Sequence, residues 1–452
     1  MDMTFDHVML SRVQFGVTAL FHILWPVLTI GLSIFLVIME ALWLKTRDQA
    51  YLRHCRFWSK LFVLNFTVGV VSGIPMEFQF GTNWGMFSMA GGDFFGHMLG
   101  FEAAMAFMLE ATFLGIMIFG WKRVSKRMHL FSTLMVALGG SLSAFWIMVA
   151  NSWMHTPTGG HFQNGSFVIT DYLSAIFNPD MHWAVPHMWV ACLEISLFFI
   201  GGISAWYIAR GREVRFFTRT LKIAVVSAIV ITPLQIWLGD GSGKTVHEHQ
   251  PAKLAAMEAH WKTNPPGRGA PWSLLAWPNS AKQDNDWEIN IPYGLSLITT
   301  HSLTGRVEGL REFPRENQPP VLPPFYAFRV MILGGFLLLF VMIWSVSAWA
   351  RGDLEPERIS SRKWLMRAWH AAIPLSYISM EAGWVTREVG RQPWVLYNLL
   401  RTGDSASQIP AAAVGSSLAV FSFIYPMLFV LFVVFARHIM RKGPGPEESA
   451  QQ

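Results

Sequence analysis

The sequence predicts an all-α integral membrane protein: nine transmembrane helices, the N-terminus outside, the C-terminus cytoplasmic and one long outer loop. Three observations carry this. Of 452 residues, 52% are hydrophobic and only 14% charged, with a mean hydropathy of +0.34, more apolar than a soluble domain of this size sustains. Nine apolar runs are long enough to cross a hydrocarbon layer of about 30 Å. Lys and Arg collect in every second loop, as cytoplasmic loops require.

The runs lie at roughly 15–42, 59–80, 97–120, 129–150, 185–209, 220–238, 326–350, 365–386 and 411–436. The first is too long for the core of a signal peptide and lacks a basic segment before it, so it reads as a retained span. Basic clusters follow alternate runs: Lys45, Arg47, Arg53, Arg56 and Lys60; Lys122, Arg123, Lys126 and Arg127; Arg210, Arg212, Arg215, Arg219 and Lys222; Arg351, Arg358, Arg362, Lys363 and Arg367; then Arg437, Arg441 and Lys442. The intervening short loops, 81–96 and 151–183, have none. The net charge of +6 therefore belongs to membrane topology rather than to nucleic acid.

This divides the chain into spans 1–6 (1–238), an outer loop (239–325), spans 7–9 (326–436) and a cytoplasmic tail (437–452). The loop opens on Gly239-Asp240-Gly241-Ser242-Gly243, carries the proline pairs 265–266, 319–320 and 323–324, and contains one helical pattern, Ala252 to Trp261. The two cysteines, Cys55 and Cys192, form no CxxC or CxxCH, so a disulfide framework, a thiolate metal site and covalent haem attachment lack support.

Charge inside a bilayer is costly and usually functional. His22 and Glu77 sit near the outer ends of spans 1 and 2. Glu102 and Glu110 follow on span 3, eight residues apart, on roughly one face and about 12 Å apart in depth. His187 begins span 5, Arg329 and Met331 begin span 7, and Glu388 and Arg391 close span 8. Singly, each has an ordinary reading as an interfacial histidine, a packing methionine, a helix-to-helix hydrogen bond or a snorkelling arginine. Jointly, nearly all of them fall in the outer half of the membrane, on the side of the long loop.

A His/Met pair such as His187 and Met331 suits a six-coordinate electron-transfer haem. A site that binds oxygen needs an open face, so a single ligand such as His22 or Glu388 suits it. Arginines offset propionate charge through paired hydrogen bonds, and oxygen reduction needs buried carboxylates to deliver protons. The spans hold too few histidines for a haem-copper centre.

The stretches FHILWPVLTIGL (21–32), MEFQFGTNW (76–84), FEAAMAFMLEATF (101–113), WIMVANSWM (146–154), GISAWY (202–207), KLAAMEAHW (253–261), YAFRVM (326–331) and EAGWVTREVGRQPW (381–394) resemble the signatures of subunit I of cytochrome bd-type quinol oxidases. The similarity runs in one order from the first span to the last. It implies that His187 and Met331 ligate a low-spin haem b with Arg329 and Arg391 beside it. His22 and Glu388 would each ligate one of two high-spin haems, a haem b and either haem d or a further haem b, with Trp384 between cofactors. Glu102 and Glu110 would serve the di-haem site and its proton supply. Lys253 and Glu258 match the family's quinol-loop residues, Glu258 being placed to accept a quinol proton.

The implied activity is oxidation of ubiquinol or menaquinol at the outer loop, with its protons released outside, and reduction of O2 to water with cytoplasmic protons. This generates a proton motive force without pumping in the bacterial cytoplasmic (inner) membrane. The implied partners are the oxidase's subunit II and a small single-span subunit. The interval between KLAAMEAHW and YAFRVM is short, resembling the short-loop branch that includes cyanide-insensitive oxidases. Two other readings remain open at this point: a haem b electron-transfer subunit of another quinol enzyme, and a proton or ion transporter lined by Glu102, Glu110 and Glu388.

Overall fold

The computed structural model describes residues 6–445. Eight of its helices are long and apolar enough to cross a membrane: α1 (His7–Thr46), α2 (Gln49–Thr82), the Gly85–Phe119 helix, α5 (Lys126–His155), α7 (Met181–Ile208), α8 (Val214–His249), α11 (Leu322–Ala350) and α14 (Ala411–Lys442). The Gly85–Phe119 helix is α3 (Gly85–Phe101) and α4 (Met108–Phe119) joined by a π segment, Glu102–Phe107. The run expected as the eighth of nine spans forms α12 (Lys363–Val389), a 27-residue helix. It falls outside the apolar eight because Lys363, Arg367, His370, Glu381, Arg387 and Glu388 dilute its hydrophobic face.

Three expectations change. The fold is mostly but not wholly helical, because three two-stranded antiparallel hairpins are present: β1 (Gly160–Gln163) with β2 (Ser166–Ile169), β3 (Trp272–Asn279) with β4 (Asp284–Ile291), and β5 (Trp394–Leu396) with β6 (Leu400–Arg401). The 81–96 loop is mostly helix, since α2 runs to Thr82 and α3 begins at Gly85, bent at Gly92 by a φ of 60°. The glycine-rich start of the outer loop is helix as well: α8 continues to His249, where Gly239 and Gly241 let His187 and Trp183 of α7 approach. Of the expected cytoplasmic tail, residues up to Lys442 extend α14, and 446–452 lie outside the described residues.

The chain divides into two compact units. One holds the chain up to Ile147, Ile195–Leu197 and the chain from Ala406 on; the other holds Met148–Glu194 and Phe198–Ser405.

In the first unit, α1 starts on the Asp6 cap, whose carboxylate accepts from Met9 N at 2.7 Å, and packs along α2. Buried polar side chains tie the two helices. Asn65 Nδ2 donates to Trp25 O (2.7 Å) and Thr29 Oγ1 (2.9 Å), and Gln79 Nε2 donates to Thr18 Oγ1 (2.9 Å). Such pairing is obligatory where no water competes. Tyr425 of α14 closes the group on Thr18 at 3.1 Å.

In the second unit, α11 packs on α12, with Trp369 Nε1 donating to Ser345 Oγ at 2.8 Å. The segment after α8 folds as the short helix α9 (Pro251–Met257), α10 (Gly294–Thr300) and the β3–β4 hairpin, and two further short helices, α6 (Tyr172–Ile176) and α13 (Thr402–Ser405), respectively precede α7 and follow β6. Ala252, Ala255, Ala256, Trp261, Ala276, Leu310 and Phe325 form its core, and all of α9 except Pro251 is buried.

Candidate functional site

The second unit contains a densely charged centre built around α9 and the end of α12. Lys253 and Glu258 are 3% and 2% exposed. Glu258 Oε2 accepts from Arg329 Nη2 at 2.7 Å and from Trp272 Nε1 at 3.1 Å. Arg329 also donates to Met257 O at 3.1 Å and to Ser273 O. The sequence reading places Arg329 beside haem; here its guanidinium is shared with the loop helix. Burial raises the Glu258 pKa above the usual carboxylate range, and Arg329 opposes that.

At the other end of α9, Lys253 Nζ lies 3.5 Å from His155 Nδ1, and its stem passes Gly390, where an added Cβ would come within 3.0 Å of Cγ. Burial first, and then Arg387, pull the Lys253 pKa down to about 7 against the attraction of Asp180 and Glu388. Glu388 Oε1 accepts from Asn151 Nδ2 (2.9 Å) and faces His155 Nε2 (3.3 Å), while Oε2 pairs with Arg391. Arg387 turns the other way, to Asn151 Oδ1 (2.7 Å) and Asp180. Burial would raise Asp180, but Arg387 and its neighbours hold it below the ordinary carboxylate range. Gln250 Nε2 caps the group by donating to His155 O at 2.8 Å.

Asn151, His155, Asp180 and Gln250 are therefore parts of this centre that the sequence reading did not single out, whereas Arg387 lies beside Glu388 in the 381–394 stretch. Asn151 and His155 carried a usable signal. They are four residues apart at the end of α5 and face one way, and Asn151 lies inside a signature stretch.

His187 of α7 and Met331 of α11 belong to the same unit, and each faces a glycine. A Cβ at Gly239 would stand 3.3 Å from His187 Cε1, and one at Gly383 would stand 3.0 Å from Met331 Sδ. His187 Nδ1 is buried without a partner among the described residues, and Nε2 lies 3.5 Å from Gln235 Nε2. Trp384 is one turn before Glu388 on α12 and half-buried.

The first unit carries His22, Glu102 and Glu110. His22 Nδ1 is 3.0 Å from Ser72 Oγ, which orients the ring and leaves Nε2 for a ligand. Here too a glycine makes room, Gly73, whose Cβ would meet Cε1 at 3.0 Å. Glu102 Oε1 accepts from Ser143 Oγ at 2.7 Å. Glu110 is 6% exposed, its Oε1 has no partner among the described residues, and Gly139 and Gly140 of α5 press against it. Eight residues overshoot two α-helical turns, but the π segment between Glu102 and Glu110 takes up about one residue. Both carboxyls consequently face the same stripe of α5, at 139–140 and 143.

These residues fit haem. Three candidate ligand side chains, His22, His187 and Met331, each have space made by a glycine, and the buried Arg391 guanidinium has Nε and Nη1 without partners among the described residues, as an anionic propionate would require. Glu388 keeps 33% of its side chain exposed although its partners His155 and Arg391 are buried, so it has an open side for iron.

A family model for cytochrome bd terminal oxidase subunit I matches residues 10–444. Subunit 1 of the cytochrome bd-II ubiquinol oxidase of Escherichia coli (strain K12) is 35% identical, covering 99% of this chain and 98% of that one. Subunit 1 of the cytochrome bd ubiquinol oxidase of Bacillus subtilis (strain 168) is 35% identical, covering 97% and 94%. The solved bd oxidase of Geobacillus thermodenitrificans aligns with a TM-score of 0.88 at 31% identity, over 97% of this chain and 99% of that one.

Proposed function

The chain belongs to the cytochrome bd terminal oxidase subunit I family, and from that premise we propose how its residues divide the work of a quinol:oxygen oxidoreductase. The family makes it a haem-dependent, multi-pass bacterial membrane protein. It also sets aside the transporter and the electron-transfer subunit.

In this reading α12 joins the eight apolar helices as the eighth of nine spans, the N-terminus and the 239–325 segment lie outside, and the C-terminus is cytoplasmic, in the inner membrane. The 239–325 segment is the quinol-binding part; 1–238 and 326–436 carry the haem ligands. His187 and Met331 hold the low-spin haem b, while His22 and Glu388 hold the two high-spin haems, b with either d or a second b. Subunit II and a small single-span subunit complete the complex. When bound, haem supplies the one-electron and oxygen chemistry.

The chain's own residues do the rest. Glu258, buried and raised in pKa, takes a proton from the quinol hydroxyl and passes it outward. Lys253, poised near neutrality, hydrogen-bonds the quinol oxygen. Arg391 neutralises a propionate, and Trp384 fills the space between cofactors. Arg387 keeps Asp180 and Asn151 in place around Glu388. Glu110 and Glu102 hold protons on their way from the cytoplasm to the reacting oxygen. Protons leave on one side and enter from the other, so charge separates without a pump.

The observation that carries this reading is the Glu258–Arg329 pair. It joins the buried loop helix to α11 two residues before Met331, so the proton acceptor for quinol and the candidate electron-accepting site share one rigid connection. A dithionite-reduced minus air-oxidised spectrum of the purified complex, repeated with carbon monoxide, tests it. B-type bands with a carbon monoxide response are expected, and a red chlorin band would identify haem d. Low-spin bands without that response would overturn the oxygen-site assignment.

A further inference from the structure

The inner half of the first unit contains a buried acid–base pair that the activity described so far does not use. Glu40 of α1 and His129 of α5 are 1% and 2% exposed, with Glu40 Oε1 2.6 Å from His129 Nδ1. Thr133 Oγ1 donates to Glu40 Oε2 at 2.7 Å, and the Trp121 ring covers the imidazole at a centroid distance of 3.9 Å.

The hydrogen bonds fix where protons are. His129 Nε2 is 3.1 Å from Met117 O, and a carbonyl only accepts, so Nε2 carries a hydrogen. Nδ1 of a neutral ring would then present a lone pair to a carboxylate oxygen 2.6 Å away, which repulsion forbids. One exchangeable proton therefore lies between Glu40 and His129, on one or the other. Both stand next to basic loop residues, Lys45 on α1 and Lys126 and Arg127 on α5, that mark the cytoplasmic end.

The same two helices lead from this pair to Glu110. A Cβ at Gly140 would stand 3.3 Å from Glu110 Oε1 and 3.7 Å from Ile30 Cγ1, so α1 and α5 meet Glu110 at that level. Gly140 is seven residues from Thr133, about 10 Å along α5. Ser33, a buried hydroxyl three residues from Ile30 and seven from Glu40, lies in that interval on α1. Four residues beyond Gly139, Ser143 binds Glu102. One stripe of α5 thus passes the Glu40–His129 pair, then Glu110, then Glu102, and Glu110 Oε1 is buried without a partner among the described residues.

We propose that Glu40 and His129 form the inner proton station of the oxidase, loading protons from the cytoplasm and passing them by way of Ser33 and intervening water to Glu110. The proton moves from Glu40 to Glu110 and is replaced from the cytoplasm through His129; no electron is transferred in the step. The proposal rests on the reading of Glu110 as a proton carrier.

Glu40→Gln tests it, because the amide keeps donors and acceptors for Thr133 and His129 but carries no exchangeable acid proton. Glu40→Gln and Glu110→Gln are compared in the assembled oxidase for haem spectrum, quinol KM, oxygen turnover and proton uptake from the inner side of proteoliposomes. At least a tenfold fall in turnover and uptake in both, with spectrum and KM unchanged, is expected. A fall in Glu110→Gln alone would reduce the pair to a tie between α1 and α5. A fall in Glu40→Gln alone would reject Glu110 as the recipient. No fall in either would remove the underlying reading of Glu110. Should Glu40→Gln not assemble with haem, His129→Gln decides in the same assays, and an undiminished rate there rejects the station.

Discussion

Arg329 Nη2 lies 2.7 Å from Glu258 Oε2, and the two side chains are 10% and 2% exposed. The pair links the 239–325 segment to the start of α11, so removing either partner leaves a buried charge alone. That costs about 3–5 kcal/mol in comparable pairs. Glu258→Leu should therefore lose quinol oxidation and stability together, whereas Glu258→Gln, which leaves the Arg329 guanidinium without its counter-charge but still accepts from Arg329 and Trp272, should lose activity with a smaller loss of stability. Haem spectra should persist in Glu258→Gln, and retained quinol turnover there would remove Glu258 as the proton acceptor.

The raised pKa of Glu258 also predicts a pH profile. The carboxyl must be ionised to accept a proton, and burial keeps it protonated to a higher pH than an ordinary glutamate. Quinol oxidation should rise with pH through the acid range and level off above the raised pKa. In Glu258→Gln the residual rate should lose that rise, as read from the rate against pH with a water-soluble quinol.

Lys253 gives a stability prediction of definite sign. Its folded pKa, about 7, lies below the 10.5 of an unperturbed lysine. Between these values the unfolded chain binds more protons than the folded one, so this residue's contribution to stability rises with pH across that window and is least favourable below about 7. Lys253→Met should unfold a few degrees higher than the parent at pH 6, with the difference shrinking toward pH 9. Thermal unfolding of both proteins across that range checks it, and a pH-independent difference would mean that Lys253 is not held neutral by its surroundings.

Much of this was legible in the sequence, because bilayer-length apolar runs and alternating basic loops are strong signals. Element ends were not. The Gly239–Gly243 stretch has turn composition, yet it remains helical because small residues there admit Trp183 and His187, a contact that no local pattern encodes. The charged centre was half legible. Glu388 and Arg391 stand out inside an apolar run, but the Glu388 partners Asn151 and His155 sit on α5, and Gln250, which bonds His155, just after α8, far away in sequence. The π segment, which sets Glu102 and Glu110 on one stripe, left no mark beyond an ordinary helical pattern.

The glycines beside the candidate ligand residues make a methyl-sized test possible. Gly383→Ala would place a carbon 3.0 Å from Met331 Sδ, closer than nearly all real contacts, so the thioether must move. The low-spin haem band should weaken or shift in Gly383→Ala as it should in Met331→Leu, while high-spin features persist. Gly335→Ala on α11, which meets nothing within 4 Å, should leave the spectrum unchanged. An unaltered low-spin band in both Gly383→Ala and Met331→Leu would remove Met331 from the ligand set.

Glu388 lies between Arg387 and Arg391, and among the described residues these two guanidiniums are balanced by the carboxylates of Asp180 and Glu388. Replacing Glu388 with glutamine removes one of the two anions and the oxygen charge available to iron, but keeps the hydrogen bond from Asn151. Glu388→Gln should thus lose one high-spin haem signal while keeping the low-spin bands. Adding Arg391→Gln should recover part of the lost stability, because it removes the cation left unpaired. Haem content by pyridine haemochrome and thermal unfolding of the single and double variants measure the two effects separately. Full haem content in Glu388→Gln would show that this carboxylate only balances its arginines.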